Sequence, residues 1–188
     1  MIQKAELLES LRLNRCGVIP WCNRRGHIHY LLTRHTESKE LGDFGGCIRQ
    51  TETGLQGGFL EFIEESRGIF LEEYPSELSL RDKPVLISDG MAVIFAEVSA
   101  NWYDKANMMF HQSRTGKKCS DEVSELVWVD ERMFTKMIYS YTRPSSVRPA
   151  NILWKRVQLF FRKSLASKTS LSRSILIGET QSAVVVST

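Results

Sequence analysis

Apolar and polar positions alternate with turn signals along the first half of the chain, a pattern typical of a β-rich domain. The apolar runs at 16–21 and 27–34 are separated by polar residues that end in Gly26, so the two runs predict a β-hairpin. A third strand is predicted at 44–49, and another at 122–130. Two more strands are predicted within 83–99, on either side of Asp89-Gly90. The pattern therefore predicts a multi-stranded sheet.

Helical spacing of apolar residues occurs at both ends of the chain. Leu7, Leu8 and Leu11 predict a short amphipathic helix at 3–13. Two more helices are predicted at 131–140 and at about 149–166, separated by a loop rich in proline and serine. The Ser- and Thr-rich tail at 167–188 is expected to be poorly ordered, although its AVVV segment is a candidate strand.

Length and composition narrow the class of protein. The chain has 188 residues, of which 42% are hydrophobic and 25% are charged, so we expect a single globular domain over 1–166. Its four cysteines form no CxxC pair, which argues against a zinc site or a disulfide framework. No apolar run has the length of a transmembrane helix, and the N-terminus is too charged for a signal peptide. We therefore expect a soluble protein of the cell interior, in the cytoplasm, with no membrane partner.

The net charge of +3 conceals an uneven distribution of charge. Residues 132–178 contain ten Lys or Arg and no Asp or Glu, whereas residues 1–131 contain fifteen basic and twenty-one acidic side chains. The later part of the chain is thus basic and the earlier part is acidic. Because cationic surfaces attract phosphates, the basic part makes RNA a candidate partner, although most basic helices are simply solvated.

Three glutamates lie close together in the segment GGFLEFIEES, residues 57–66. Thr53 and Gln56 have the spacing of a capping box, which predicts a helix that begins near Gly54. Such a helix would bring the three carboxylates to one face, where they repel each other and where a hard cation such as Mg²⁺ would relieve the repulsion. On spacing alone, however, a solvated acidic face is the commoner explanation. The three residues are Glu61, Glu64 and Glu65.

A wider pattern of glycine and glutamate surrounds this cluster. Gly46 is followed six residues later by Glu52, and Glu61 comes nine residues after Glu52. With the glutamate pair that follows, this spacing resembles the signature of the Nudix hydrolases, here a box at 46–69. The order of the flanking strands extends the resemblance to roughly 15–140.

The Nudix resemblance implies both a fold and a reaction. The fold would be an α/β/α sandwich around a mixed β-sheet, with the basic C-terminal helix as an addition. The reaction would be the metal-dependent hydrolysis of a pyrophosphate bond in a nucleoside diphosphate that is linked to another moiety. The substrate would therefore be a nucleotide, a dinucleoside polyphosphate, a nucleotide sugar or the capped or diphosphate 5′ end of RNA.

The same resemblance implies which residues bind metal. The ligands would be the carboxylates of Glu61, Glu64 and Glu65 and the backbone carbonyl of Gly45. The ion would be Mg²⁺, with Mn²⁺ as the alternative, because oxygen ligands suit hard cations. Gly45 and Gly46 would allow the backbone to approach the helix closely, although a simple turn would need the same residues.

The general base is less closely defined by the resemblance. In the family this role falls to a helix glutamate, here Glu61, or to a glutamate that precedes a late strand. Glu122 and Glu125 both occupy that second region, and we favour Glu122 because it lies on the loop side. Glu52 would support the helix or the water molecules of the metal rather than bind the metal itself.

Two departures from the family signature bear on activity. The family has an arginine where this chain has Leu60, and that arginine pairs with the upstream glutamate, here Glu52. Arg49 and Arg67 are candidate substitutes for it. In addition, one extra residue separates the glutamate pair from Gly68. These departures raise the alternative of a catalytically weakened, Nudix-like module that binds nucleotide or RNA.

Two regions are candidates for substrate recognition. Residues 100–120 combine polar and aromatic side chains and are predicted to form a substrate loop. The basic C-terminal helix is predicted to pack with one side and to leave the other side cationic, which would favour an RNA substrate through counterion release. Its four candidate RNA-binding residues are Lys155, Arg156, Arg162 and Lys163.

Overall fold

A computed structural model describes residues 3–113, 122–140 and 152–165. In these ranges a mixed sheet of eight strands lies between two layers of helices. The strands are β1 (Gln3–Lys4), β2 (Arg15–Arg24), β3 (His27–His35), β4 (Leu41–Gly42), β5 (Phe44–Cys47), β6 (Pro84–Ser88), β7 (Met91–Glu97) and β8 (Val123–Asp130). The α-helices are α1 (Gly54–Glu65), α2 (Trp102–Gln112), α3 (Glu131–Tyr139) and α4 (Lys155–Ser164). Two short 3₁₀ helices span Ala5–Glu9 and Glu77–Leu80.

The sheet is built around β2. The strand order is β1-β6-β7-β2-β3-β4, while β5 also pairs with β2, and β8 also pairs with β3. Strands β2 and β7 run parallel, and the other pairs are antiparallel. Strand β2 therefore has neighbours from three parts of the chain, and its first residues lie beside both β5 and β7.

Side chains of β2 alternate between the two faces of the sheet, as the pleat requires. Cys16 and Val18 belong to a core cluster with α1 and α2, whereas Ile19 and Trp21 belong to a second cluster with α3 and α4. The protein is thus an α/β protein whose mixed sheet has helices on both faces. This confirms the fold class that was predicted from the sequence.

The predicted hairpin of β2 and β3 is present, the two strands predicted within 83–99 form a second hairpin, and the turns explain both. Strands β2 and β3 are joined by Arg25 and Gly26, whose φ angles are 54° and 82°. Strands β6 and β7 are joined by Asp89 and Gly90, with φ angles of 49° and 70°. Two-residue turns with positive φ match the twist of antiparallel strands, which is why these short polar sequences close hairpins.

Two of the predicted segments have a different structure. The N-terminal helix predicted at 3–13 is wrong: β1 pairs with β6, and only the short 3₁₀ helix at Ala5–Glu9 follows. Of the three leucines, Leu8 is buried, while Leu7 and Leu11 are 41% and 42% exposed. The apolar spacing therefore overstated how much of this segment packs.

The substrate loop predicted at 100–120 is also wrong over its first part. Residues 102–112 form helix α2, whose buried face consists of Trp102, Ala106 and Phe110. These residues recur every four positions, a helical period that the polar residues between them obscured. Residues 114–121, which include Cys119, lie outside the described residues.

The C-terminal helix begins later than about 149. Leu153 pairs with Leu41 of β4, and the flanking amides and carbonyls of Ile152, Leu41 and Trp154 form two hydrogen bonds of 2.7 Å each. Helix α4 starts only at Lys155. The tail at 167–188 and the loop at 141–151 lie outside the described residues. Within the described ranges, no helix is long and apolar enough to cross a membrane.

Candidate active site

Helix α1 begins with the predicted capping box. The Gln56 amide donates to Thr53 Oγ1 at 3.2 Å, and the Thr53 amide donates to Gln56 Oε1 at 3.1 Å. Gly57 and Gly58 lie where the helix contacts the sheet, since a Cβ on them would come within 3.0 Å of Ile48 and 2.6 Å of Cys16 respectively. The two glycines therefore bring α1 close to the strands, and the cap offsets their low helix propensity.

The last turn of α1 lies against Gly45 and Gly46 of β5. The Gly45 amide donates a hydrogen bond of 2.9 Å to Glu65 Oε2. One helical turn earlier, the Glu61 carboxylate fills the space beside Gly46, where any Cβ would overlap with it. The structure thus brings together four residues that the sequence analysis assigned to one site: Gly45, Gly46, Glu61 and Glu65.

Electrostatics in this corner disfavour the charged form of the carboxylates. The pKa of Glu65 is raised well above its ordinary value, because the group is buried and lies near the charges of Asp43 and Glu61. The Gly45 hydrogen bond and the charge of Arg15 lower it only in part.

Glu61 and Glu64 have different surroundings. The pKa of Glu61 is raised by partial burial and then by the charges of Glu64 and Glu122, against the lowering effect of Arg15 and Arg49. Glu64 is exposed to solvent on the outer side of the helix. Of the three predicted helix ligands, Glu61 and Glu65 therefore lie against Gly46 and Gly45 of β5, and Glu64 faces solvent near them.

The two candidate bases from the late strand are placed differently. Glu122 is exposed just before β8, and its charge contributes to the raised pKa of Glu61. Glu125 forms an ion pair with Arg34 of β3. The pairing of β3 with β8 shifts register at this point, because Arg34 lies opposite Glu125 whereas His35 lies opposite Val123. The charge of Glu122 thus acts on the carboxylates of α1, whereas the charge of Glu125 is paired with that of Arg34.

Of the two arginines that were candidates to pair with Glu52, Arg49 contacts it. Arg49 Nη1 lies 3.5 Å from Glu52 Oε1, and the Arg49 amide donates to Glu52 Oε2 at 3.2 Å. Arg67, the other candidate, instead donates to the carbonyl oxygens of Phe110 and Val123 at 3.0 and 3.3 Å. The extra residue before Gly68 thus places an arginine with a φ of 57° at the exit of α1, where it contacts α2 and β8. The side chain of Leu60 is 47% exposed.

A buried ion pair beside Gly45 of β5 was not predicted from the sequence. Arg15 donates hydrogen bonds of 2.7 and 2.6 Å to the two carboxylate oxygens of Asp43 and one of 2.9 Å to the carbonyl oxygen of Gly45. Both charged residues are almost fully buried, with 2% and 1% exposure. The signal in the sequence was slight: each is a charged residue beside an apolar or glycine-rich strand, and the two are 28 positions apart.

A cleft opens next to Glu122. It has a volume of about 490 Å³ and is lined in part by the turn after β3, including His35, Thr36 and Ser38. The Thr36 amide donates to the Glu122 carbonyl oxygen at 2.8 Å, so the turn and the start of β8 are joined. We call this space the His35 cleft.

The four basic residues of the C-terminal helix do not share one environment. Arg162 donates to the carbonyl oxygens of Ile138 and Ser140 at 2.6 and 2.8 Å, at the end of α3. Lys163 forms an ion pair with Asp89. Lys155 and Arg156 are exposed. Helix α4 packs on the face of the sheet opposite α1, so most of this basic set lies in the other helical layer.

The donors around Gly45 and Gly46 have the chemistry of a site for a hard cation. They are carboxylate and carbonyl oxygens, and the raised pKa values of Glu61 and Glu65 reflect burial first and then the neighbouring carboxylate charges, whose repulsion a divalent ion would relieve. As placed, no three Asp, Glu, His or Cys side chains within the described ranges form a ready metal-binding group. The carbonyl oxygen of Gly45 already accepts from Arg15. The residues present thus supply the oxygen donors that Mg²⁺ prefers, with Glu61 and Glu65 at the centre of the set.

Comparison with solved structures finds similar chains among the Nudix proteins. A C. elegans Ap4A hydrolase binary complex is 14% identical, with a TM-score of 0.43, over 82% of this chain and 98% of that one. The NUDIX domain of Shewanella oneidensis NrtR complexed with ADP ribose is 12% identical, with a TM-score of 0.41, over 82% and 87%. A mutT/nudix family protein from Listeria innocua is 12% identical, with a TM-score of 0.42, over 87% and 95%. No family model and no curated protein match the sequence.

Proposed function

We propose that this protein is a metal-dependent hydrolase that cleaves a pyrophosphate bond in a nucleoside diphosphate linked to another moiety. One observation carries the proposal: the carboxylates of Glu61 and Glu65, both on α1, lie against Gly45 and Gly46 of β5. A solvated acidic face would leave such residues apart from the backbone and in water. Here Glu65 is partly buried and accepts a hydrogen bond from the Gly45 amide of β5.

The metal site would consist of Glu61, Glu64, Glu65 and the backbone of Gly45. A bound Mg²⁺ or Mn²⁺ would neutralise the pyrophosphate and lower the pKa of an attacking water molecule. Glu52 would contribute indirectly, because its contacts with Arg49 fix the loop that leads into α1. Gly46 would keep the space that the Glu61 carboxylate occupies.

We propose Glu122 as the general base. It is exposed, and its charge acts on Glu61, so it lies near the carboxylates without a described ion pair of its own. Glu125 is the second choice, since its Oε1 already accepts from Arg34. Glu61 remains the third choice, and its role as a metal ligand would compete with proton transfer.

The His35 cleft is the proposed location of the group attached to the diphosphate. It adjoins Glu122 and offers hydroxyl, imidazole and carboxylate groups from the turn after β3. Polar groups of this kind suit a nucleoside or a sugar. The opposite placement of α4 favours a small nucleotide over capped RNA as the substrate, because most of its cationic residues lie across the sheet from the carboxylates.

A catalytically weakened binding module is the second candidate function. Leu60 stands where the family signature has an arginine, and one extra residue follows the glutamate pair. If these departures weaken the metal site, the protein would bind nucleotides without efficient turnover. Binding without phosphate release would identify this case.

A substrate screen tests the proposal. Purified protein would be incubated with Mg²⁺, with Mn²⁺ or with EDTA, and with a nucleoside triphosphate, ADP-ribose, a dinucleoside polyphosphate or capped RNA. Mass spectrometry would identify the products. We expect hydrolysis of a P–O–P linkage in at least one small nucleotide, and we expect this activity to require the divalent ion. Failure to cleave any of these compounds, together with measurable nucleotide binding, would support the binding module instead.

A further inference from the structure

Arg15 connects three parts of the molecule at one point. Its guanidinium donates to both oxygens of Asp43 and to the carbonyl oxygen of Gly45. Its other surface faces the indole of Trp154, with 5.3 Å from the guanidinium carbon to the ring centroid. A planar guanidinium is suited to this combination of a bidentate carboxylate contact and an aromatic contact, and an ammonium is not.

The backbone around this ion pair is shaped to admit it. Gly17 of β2 lies opposite Gly45 of β5 in the sheet register. A Cβ at Gly17 would overlap with the Asp43 carboxylate and would lie 3.2 Å from Gly45 Cα. Only a residue without a side chain at this position lets the carboxylate approach the guanidinium. The buried pair is thus a fitted feature of the strand pair β2–β5.

Burial of two charges would not be needed for stability alone. The cost of removing an ion pair from water commonly equals its attraction, and apolar residues of the same volume often serve as well. The position of this pair indicates another role. Arg15 is within electrostatic reach of Glu65 and Glu61 as well as Asp43, and its charge acts against the crowding of the carboxylates.

Two side chains hold the backbone of Gly45, one through its amide and the other through its carbonyl oxygen. Its amide donates to Glu65 of α1, and its carbonyl oxygen accepts from Arg15 of β2. Trp154, which precedes α4, covers the guanidinium from the other helical layer. The backbone of Gly45 therefore has its orientation fixed between α1 and the start of β2.

We propose that Arg15 is a positioning residue for the candidate metal site, one that, together with Asp43, fixes the Gly45 backbone against Glu65. The inference rests on the proposed function in that it assigns the Gly45 carbonyl to the same site. Arg15 contacts neither metal nor substrate in this role. It acts through Asp43 and Gly45.

The test compares two conservative variants of arginines on the same strand. Arg15→Lys keeps the charge, so the protein retains a counterion for Asp43, but it loses the paired hydrogen bonds. Arg24→Lys is the matched control, because Arg24 also forms an ion pair with an aspartate, Asp104 at 3.0 Å, and also stacks on an aromatic ring, that of Tyr103 at 4.0 Å. Arg24 lies at the far end of β2 from Gly45.

Three quantities would be measured for each variant. Mn²⁺ affinity would be measured by titration with the metal alone. Steady-state kinetics would be measured with the best small nucleotide. Hydrogen exchange of the segment 43–47 would be followed by mass spectrometry in the metal-free protein. For Arg15→Lys we expect Mn²⁺ affinity to fall tenfold or more, kcat to fall with KM within twofold of the wild type, and exchange to accelerate in 43–47 but not elsewhere. Arg24→Lys should change none of these more than twofold.

The outcomes separate this inference from the proposed function. Wild-type Mn²⁺ affinity and kcat in Arg15→Lys would overturn the inference, even if the melting temperature fell, since a purely structural role predicts that result. Equal losses in both variants would overturn it as well. If the wild type binds no Mn²⁺, the proposed function fails, and hydrogen exchange then decides the role of Arg15: a local acceleration supports it, and unchanged or uniformly faster exchange overturns it.

Discussion

Glu64 and Glu65 are neighbours in the sequence, yet their surroundings are opposite. Glu65 is partly buried, accepts from the Gly45 amide and has a pKa raised by burial and by the charges of Asp43 and Glu61. Glu64 lies in solvent. A carboxyl whose pKa is raised by folding binds its proton more tightly in the folded state, so it stabilises the fold at low pH. That contribution is lost as the pH rises above the ordinary value of 4.5 and through the folded pKa.

Replacement of Glu65 by an uncharged isostere should therefore stabilise the metal-free protein. We expect Glu65→Gln to raise the melting temperature by about 2 °C or more at pH ~8 in EDTA, with a smaller gain at pH ~5, where the wild type is less charged. Glu64→Gln should shift it by under about 1 °C. Differential scanning calorimetry at the two pH values measures both. A lower melting temperature for Glu65→Gln at pH ~8 would contradict the assignment of Glu65 as a crowded carboxylate.

Leu60 gives a second prediction at this scale. Because Arg49 already contacts Glu52, and because the side chain of Leu60 is 47% exposed, an arginine introduced there would gain little and cost little. We expect Leu60→Arg to change the free energy of unfolding by less than about 0.5 kcal/mol and kcat by less than twofold. Urea denaturation and steady-state kinetics measure these. A tenfold increase in kcat would mean that the Arg49 contact does not replace the missing arginine.

The sequence was informative about residues that act through local spacing and poor for residues that act through distant contacts. The glutamates of α1 and the glycines of β5 follow one spacing pattern within a short segment, so their contact was predictable from the sequence. Arg15 and Asp43 have no such pattern, because their pairing depends on the register of β2 and β5. The relation of Glu122 to Glu61 likewise depends on where β8 begins in the sheet.

At the scale of elements, the hairpins and α1 were predictable because each has a local signal. Positive-φ turns end the strands, and the Thr53–Gln56 capping box starts the helix. Helix α2 was missed because its apolar residues are four apart within a polar and aromatic segment. The start of α4 was misplaced because Leu153 pairs with β4, a tertiary contact that no local pattern reveals.

The contact between β2 and β5 gives a prediction for an element pair. In Gly17→Ala the added Cβ would overlap with the Asp43 carboxylate, so the strands must separate or the ion pair must shift. We expect a loss of about 1–3 kcal/mol in the free energy of unfolding, together with weaker Mn²⁺ binding. Gly26→Ala is the control: its Cβ would meet nothing within 4 Å, but its φ of 82° costs about 1–2 kcal/mol without an effect on the site. Equal Mn²⁺ affinities in the two variants would contradict this account.

At the scale of the whole molecule, the sheet separates the carboxylates from most of the basic helix. Helices α1 and α2 pack on one face, and α3 and α4 pack on the other. The sequence showed that basic residues are concentrated in the later part of the chain, but it could not show on which face of the sheet they would lie. Trp154 is the point at which the α4 side reaches the candidate site, through Arg15.

This placement predicts how substrates respond to loss of the exposed cations. We expect the double variant Lys155→Gln/Arg156→Gln to change turnover of capped RNA and of a small nucleotide by less than twofold each, because these residues lie in the layer opposite α1. Arg162 and Lys163 would be left in place, since both have partners within the fold. A selective loss on capped RNA, with a flatter dependence on salt, would instead assign the helix to RNA binding.

The central claim is that Glu61 and Glu65 hold a divalent ion for pyrophosphate hydrolysis, and the most direct measurement is the Mg²⁺-dependent rate in their glutamine variants. The substrate would be the small nucleotide that the screen identifies, and Glu72→Gln, an exposed glutamate after α1, is the control. We predict that Glu61→Gln and Glu65→Gln each lower kcat roughly a hundredfold or more, because a ligand charge is removed at constant volume, while Glu72→Gln stays within twofold. Wild-type rates in both variants, or a wild-type rate that EDTA leaves unchanged, would contradict the account.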